Sequence, residues 1–216
     1  QAFAKHLSEA GITVDGEPSR AAASGGAREL ASVSSAPLSD ILALSLKTSD
    51  NTMTEVEGRL VAVHAKQSAD FAGASKAVIA QLGKDGFDTS GLTLLDASGL
   101  AKGNKVPARL LAQILAKAAG GEGGSAGRTL IADLPVAALD GTLTNRLHDT
   151  TAAGTVRAKT GSLERTSSLA GVVTTADGRL LAFSILANDF PANGGGAAAA
   201  VIDSHFVAPL ASCGCS

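Results

Sequence analysis

Tryptophan and tyrosine are absent from this chain, and six phenylalanines are its only aromatic residues of that kind. Stacking platforms for nucleic-acid bases therefore have little to be built from. Charge is sparse as well: 18% of residues are charged, and the formal net charge is −2. Without a basic excess the electrostatic footprint of a nucleic-acid partner is missing. No apolar run approaches the roughly 20 residues that span a bilayer as a helix. The longest, Ala197 to Ile202, follows a glycine run. The segment Gln1 to His6 lacks the layout of a secretory signal. Cysteine is confined to Cys213 and Cys215. One residue apart, they are poorly placed to bridge each other, and a zinc site wants more ligands at wider spacing. They read as an exposed tail, with pairing to cysteines outside the chain as the alternative. The histidines His6, His64, His148 and His205 are scattered without ligand spacing, so no metal is expected.

What is present is a 216-residue chain that is 45% hydrophobic, enough for one good-sized core. There is no internal repeat and no long linker. Ala2 to Ala10 reads as a short amphipathic helix, Ile12 to Val14 as a short strand, and Gly16 to Ala27 as a loop. Arg28 to Ser34 alternates in the manner of a strand. Pro37 and Ser39 open a helix expected to bury Leu38, Ile41, Leu42, Leu44 and Leu46. It stops at Thr48-Ser49-Asp50-Asn51, residues that favour caps and turns. Further helices are expected from Met53 to Lys66, after Asp70 to about Gly83, and from Pro107 to about Ala118. Leu92 to Leu95 is a strand candidate, and Gly120 to Gly127 a flexible connection.

The last third changes character. Thr155 to Ala158 suits a strand that ends in Lys159-Thr160-Gly161. Ser168 to Thr175 and Arg179 to Asn188 are apolar strands joined by Ala176-Asp177-Gly178, a strong hairpin signal. A helix from about Ala197 to Leu210 closes the chain. The expected fold is α/β, in the layered α+β sense: a helical body on an antiparallel sheet.

Two tripeptides carry chemistry: Ser49-Asp50-Asn51 at a break between helices, and Lys159-Thr160-Gly161 at a strand end. A given tripeptide arises by chance in about one chain in thirty to forty of this length. Both, in this order and these contexts, suit acyl transfer by an active-site serine. The Ser49 hydroxyl can relay a proton to a leaving group. Asn51 can hold a substrate amide and orient a lysine, while Asp50 points inward and caps the turn. Lys159 sets a positive charge near the nucleophile and a substrate carboxylate. Thr160 and Ser162 offer hydroxyls to that carboxylate, and Gly161 lets a substrate lie close to the strand. The Ser162 N–H can form half of an oxyanion hole. Glu55 and Glu57 have no spaced carboxylate partner and read as a solvated helix face.

These tripeptides resemble the second and third motifs of penicillin-binding proteins and serine β-lactamases. Leu95-Asp96-Ala97-Ser98-Gly99-Leu100, Asn104-Lys105-Val106-Pro107, Leu134 to Leu143, Val156 to Leu163 and Ser168 to Val172 resemble segments of the class C low-molecular-mass penicillin-binding proteins. The likeness runs from about Ser35 to Phe206, and more loosely from Gln1. It implies a penicillin-binding transpeptidase-like fold and a serine D-alanyl-D-alanine carboxypeptidase, often also an endopeptidase on cross-links. Implied partners are peptidoglycan stem peptides and β-lactam antibiotics, with no cofactor, in the cell envelope, periplasmic or extracellular. Ser49, Asn51 and Lys159 would be catalytic, and Thr160, Gly161 and Ser162 would bind substrate. Asp96, Ser98 and Asp140 read as structural turn residues, and Ala97 stands where the family usually has glycine.

The family's first motif, a serine with lysine three positions on, is absent: no Ser or Thr here has Lys at that offset. Ser45 has Lys47 at two. The chain is thus expected to be residues 1–216 of the C-terminal portion of one penicillin-binding domain, incomplete without its N-terminal strands. An N-terminal segment would bring the nucleophile. The rival readings are a non-catalytic, peptidoglycan-binding scaffold of the same fold, and, more weakly, a serine β-lactamase.

Overall fold

The structure is a computed structural model that describes residues 2–17, 19–22 and 24–213. It divides into two compact units, Gln1–Ser35 and Ala36–Ser216.

In the first unit, helix α1 (Ala2–Glu9) buries none of its residues. The strands expected at Ile12 to Val14 and Arg28 to Ser34 do not form, and both stretches are irregular. Alternation only makes a segment fit for a sheet; a neighbouring strand must supply the ladder bonds. None among the described residues does, and Leu30 and Val33 are 86% and 97% exposed.

The second unit opens with α2 (Leu38–Thr48), α3 (Asn51–His64) and α4 (Phe71–Lys84). Asp50 caps α3 by accepting from Met53 N at 2.9 Å, and Asp70 caps α4 by accepting from Gly73 N at 2.7 Å. Asp50 performs its expected capping but lies exposed and does not point inward. In α2 the apolar face departs from expectation. Leu38 and Leu44 are exposed, while Ser45 is buried. The strand expected at Leu92 to Leu95 reduces to a single bridge between Thr93 and Lys105.

Helix α5 (Ala108–Ala119) follows Pro107 and buries Leu110, Leu115 and Ala118. Helix α6 (Gly124–Asp133) begins inside the stretch expected to be a connection. Its glycines hid it, since glycine is a poor helix former when judged locally. The sheet then runs β1 (Val156–Leu163), β2 (Thr166–Thr174) and β3 (Leu180–Asn188), all antiparallel in that order. The β2–β3 hairpin turns where Asp177-Gly178 predicts, with Gly178 at φ +83°. The closing helix comprises α7 (Gly195–Val201), a wider π-helical stretch Ile202–Val207, and α8 (Ala208–Ser212). The widening precedes Pro209, which lacks the N–H that a regular helix would need there.

Alternation places the two sheet faces in different cores. Val156, Ala158, Leu169, Val173 and Phe183 pack with Ile202, Val207 and Ala211 of the closing helix. Val172 packs with Leu115 of α5 and Leu134, against Leu46 of α2. A bidentate ion pair, Arg146 Nε and Nη2 to Asp203 at 2.9 and 2.6 Å, joins the segment before β1 to the closing helix. Cys213 is disulfide-bonded, which departs from an unpaired exposed tail, and Cys215 lies outside the described residues.

The loop after Leu95 is a polar knot. Buried Asp96 accepts from Gly99 N, Ala101 N and Asn104 Nδ2 at 2.7–2.9 Å. Burial pushes its carboxyl up, but the bonds from Asn104, Ala101, Gly99 and Ser98 outweigh it and hold it below the usual range. Glu55 is not on a solvated face: it accepts from Ala97 N and Ser98 N at 3.1 and 2.8 Å. Glu57 is half-buried too, and burial raises its pKa against the bond from Ser45, with the Asp50 charge adding to the rise.

Ala97 is accommodated by a complementary absence. Its backbone has no positive φ, so glycine is not required. A Cβ on Gly58 of α3 would stand 2.7 Å from the Ala97 Cβ. Gly58→Ala is therefore expected to destabilise by about 1–3 kcal/mol of overpacking, less the roughly 1 kcal/mol that alanine returns in helix propensity. Adding Ala97→Gly should recover the loss. Denaturant midpoints of the single and double variants check this; additive effects would remove the contact as the cause.

Candidate active site

Helix α2 ends at Ser49, whose φ and ψ of 56° and 45° place it in the left-handed region. Its N–H caps Ser45 O, satisfying a carbonyl that the helix end leaves free. A non-glycine residue pays a small conformational cost there, of order 1–2 kcal/mol. The sharp reversal lets α3 start two residues later, so Ser49 stands at the corner between the two helices. Asn51, the first residue of α3, is exposed beside it.

The second half of the site comes from β1. The strand continues through Lys159-Thr160-Gly161 to Leu163 and does not stop before it. Lys159 Nζ donates to Ser49 Oγ at 2.6 Å and to Thr160 O at 3.0 Å, joining residues 110 positions apart. Lys159 is half-buried, and desolvation pulls its pKa below the ordinary lysine value, with no anionic partner among the described residues to restore it.

The edge of β1 is closed on one half and open on the other. Residues 135–137 lie along it: Ala137 N donates to Val156 O at 3.0 Å, and Ala158 N donates to Pro135 O at 2.9 Å. This cover ends at Ala158. Since Val156 and Ala158 direct their backbone groups off the edge, the two-residue period sends those of Thr160 and Ser162 the same way. An extended peptide can therefore pair with β1 beyond the cover, passing beside Ser49 and Lys159.

Of the sequence-predicted residues, Ser49, Lys159 and Thr160 are brought together directly. Ser162 is exposed farther along the same edge. Gly161 meets a need within the sheet besides the substrate approach expected of it. A Cβ there would collide with the hydroxyl of Ser168, its partner on β2. The close approach that excludes a side chain is internal to the sheet. Sequence reasoning missed Thr142, which lies in a short 3₁₀ turn (Gly141–Leu143) and accepts from Thr160 Oγ1 at 2.8 Å. It also missed Lys47, whose Nζ donates to Leu134 O and Asp140 Oδ2, both at 2.7 Å. Neither carries a local signal, because both contacts span the chain.

Comparison with known proteins identifies the family and the fold. The sequence profile of the D-Ala-D-Ala carboxypeptidase 3 (S13) family matches residues 1–206. The carboxypeptidase DacB of Mycolicibacterium smegmatis is 43% identical over 194 residues, covering 88% of this chain and 41% of that protein. A D-alanyl-D-alanine carboxypeptidase of an Actinomadura species is 36% identical, covering 86% of this chain and 35% of that protein. The chain thus spans about two fifths of the length of these relatives. Among solved structures, penicillin-binding protein 4 (dacB) of Haemophilus influenzae, complexed with a β-lactam, superposes with a TM-score of 0.77 at 32% identity. That match covers 86% of this chain and 43% of the other. An extended-spectrum β-lactamase shares the fold at a TM-score of 0.51, 19% identity, and coverage of 70% and 55%. The expected penicillin-binding fold, helices on an antiparallel sheet, is borne out.

Proposed function

This chain belongs to the D-Ala-D-Ala carboxypeptidase 3 (S13) family, and on that premise we propose that it is the C-terminal portion of a single serine-type D-Ala-D-Ala carboxypeptidase domain. Its substrates are peptidoglycan stem peptides in the cell envelope, and cleavage of cross-links is a second activity of the same site. The observation that carries the reading is the 2.6 Å bond from Lys159 Nζ to Ser49 Oγ beside an open strand edge.

A segment outside these 216 residues supplies the nucleophilic serine and its lysine. Two features support such a partner. The outer edge of β3 has no strand beside it among the described residues. Leu44, Leu60, Phe71, Leu95 and Leu100, all on α2, α3, α4 and the loop beyond, are half exposed or more. Unpaired edges and grouped apolar side chains call for cover.

The peptide lies along β1 past Ala158, with its C-terminal carboxylate toward Lys159, Thr160 and Ser162. The serine oxygen attacks the carbonyl of the penultimate D-alanine, and the Ser162 N–H donates to the developing oxyanion. The proton released by the nucleophile reaches the leaving amine through Ser49, whose oxygen is held by the Lys159 ammonium. The C–N bond breaks and D-alanine departs. Water then attacks the acyl-enzyme and frees the serine. A β-lactam enters the same path, its ring amide taking the place of the scissile bond.

The full-length protein is expected to take up one equivalent of fluorescent penicillin covalently and to release D-alanine from a stem peptide. The 216-residue chain alone should remain unlabelled. Labelling of the chain alone would overturn the placement of the nucleophile. A full-length protein that neither labels nor releases D-alanine would instead be the non-catalytic scaffold.

A further inference from the structure

Thr160 reaches its place in the site through a hydroxyl pair. Its Oγ1 donates to Thr142 Oγ1 at 2.8 Å, so its only proton is directed away from any ligand. A hydroxyl has one donor and two acceptor sites and turns to suit its partners. To donate to an arriving carboxylate, Thr160 must withdraw that proton. Its oxygen then needs a new donor, and the Thr142 hydroxyl stands at hydrogen-bond distance to become it.

Thr142 is held with unusual care for a loop residue. The next residue, Leu143, is fully buried in the core beneath the sheet. The preceding Gly141, at φ +57°, lies so close to α2 that a Cβ would be 2.8 Å from Lys47 O and 3.1 Å from Pro135. One residue earlier, Asp140 is fixed at both oxygens. Oδ1 accepts from Val136 N and Oδ2 from Lys47 Nζ, each at 2.7 Å. The Lys47 ammonium also holds Leu134 O at 2.7 Å. Lys47 lies two residues before Ser49, and residues 135–137 are bonded to β1. One clamp therefore sets the Ser49 corner, the Thr142 turn and the Lys159–Thr160 strand in mutual register.

We propose that Thr142 is a positioning residue for carboxylate recognition: its hydroxyl exchanges donor and acceptor roles with Thr160 when the C-terminal carboxylate of the peptide binds, and the Lys47–Asp140 clamp holds it at the required distance. This rests on the carboxypeptidase reading, in which Thr160 meets that carboxylate. No covalent bond changes; one hydroxyl proton turns from Thr142 to the carboxylate, and the other turns from solvent or backbone to Thr160. Replacement of Thr142 by valine keeps the shape and removes the exchange. The Thr160 oxygen is then left without a donor in the bound state, a loss of the size of one hydrogen bond to a charged acceptor network.

The test uses the full-length protein and two stem-peptide analogues, one ending in the free acid of D-Ala-D-Ala and one in its amide. The unmodified protein should prefer the acid. In Thr142→Val the KM for the acid should rise about tenfold. Its kcat should stay within about twofold, and the amide constants should not move, so acid-over-amide discrimination falls by the same factor. Thr142→Ser should restore it. The acid KM effects of Lys47→Met and Thr142→Val should be less than additive, because both act through one hydroxyl. Unchanged discrimination in Thr142→Val, or acid and amide weakened alike, would overturn the proposal. So would full additivity, for the clamp. Equal hydrolysis of acid and amide by the unmodified protein removes the carboxylate role and this proposal with it. Hydrolysis of neither shows that the proposed activity itself has failed.

Discussion

Lys159→Ala in the full-length protein is expected to slow acylation by a fluorescent penicillin about 10²–10³-fold, the loss typical of removing one preorganised electrostatic group from a site. Among the described residues the side chain has no ion pair to lose: its Nζ donates to Ser49 Oγ and Thr160 O. Stability should therefore not fall with activity. Desolvation lowers the Lys159 pKa in the folded state, whereas the unfolded chain keeps the ordinary value. Between the two values the unfolded state binds more protons, so stability rises with pH across that window, and below it the buried charge is a fixed cost. A neutral replacement removes that cost. The same shift moves the chemistry: an ammonium that loses its proton early sets an alkaline limb of the acylation profile below the ordinary lysine range. Lys159→Arg should move that limb out of reach, since a guanidinium does not titrate there. Wild-type acylation in Lys159→Ala would contradict the role given to this residue, and a limb unmoved in Lys159→Arg would assign the titration to another group.

Ser49→Ala should cost a similar or greater amount, about 10²–10⁴-fold in both acylation and peptide hydrolysis, the range for a positioned proton-transfer group. The reason is geometric. Lys159 donates to the Ser49 oxygen at 2.6 Å, so the hydroxyl has a fixed orientation from which to pass a proton onward. Alanine leaves the ammonium without that acceptor and the leaving amine without its donor. The backbone tolerates the change, because both residues bear a Cβ and meet a comparable penalty at φ 56°. A useful contrast is the neighbouring Asp50, which caps α3 through Met53 N. Its loss should cost about 1 kcal/mol of stability and little activity. Stopped-flow acylation of the two variants separates the roles; equal rates in Ser49→Ala and the unmodified protein would remove the hydroxyl from the proton path.

The sequence alone determined the two motifs, the order of the second unit's helices and strands apart from α6 and the stretch Leu92 to Leu95, and the hairpin at Asp177-Gly178. Each is written in neighbouring residues: helices in the 3.6-residue period and their caps, the hairpin in a dipeptide suited to positive φ. The resemblance in flanking segments led from those motifs to a peptidase family, and the comparisons bear it out. Where local signals were weak or context was needed, the reading departed. The glycines of α6 hide it, the spacing of Glu55 and Glu57 does not reveal their partners across the chain, and the stretch Arg28 to Ser34 has a strand's alternation without a strand's partner.

Only the tertiary structure decided how the candidate site is assembled. It brought Lys159 to Ser49 across 110 residues, covered the β1 edge up to Ala158, and gave Gly161 to Ser168. It also joined Lys47 to Asp140, and Thr142 to Thr160. The physical reason is the same in each case. Residue types and local periods specify what a segment can form and which chemistry its side chains hold. Distances of less than 3 Å between segments far apart in the chain follow from packing two cores on opposite faces of one sheet, and no local pattern encodes them.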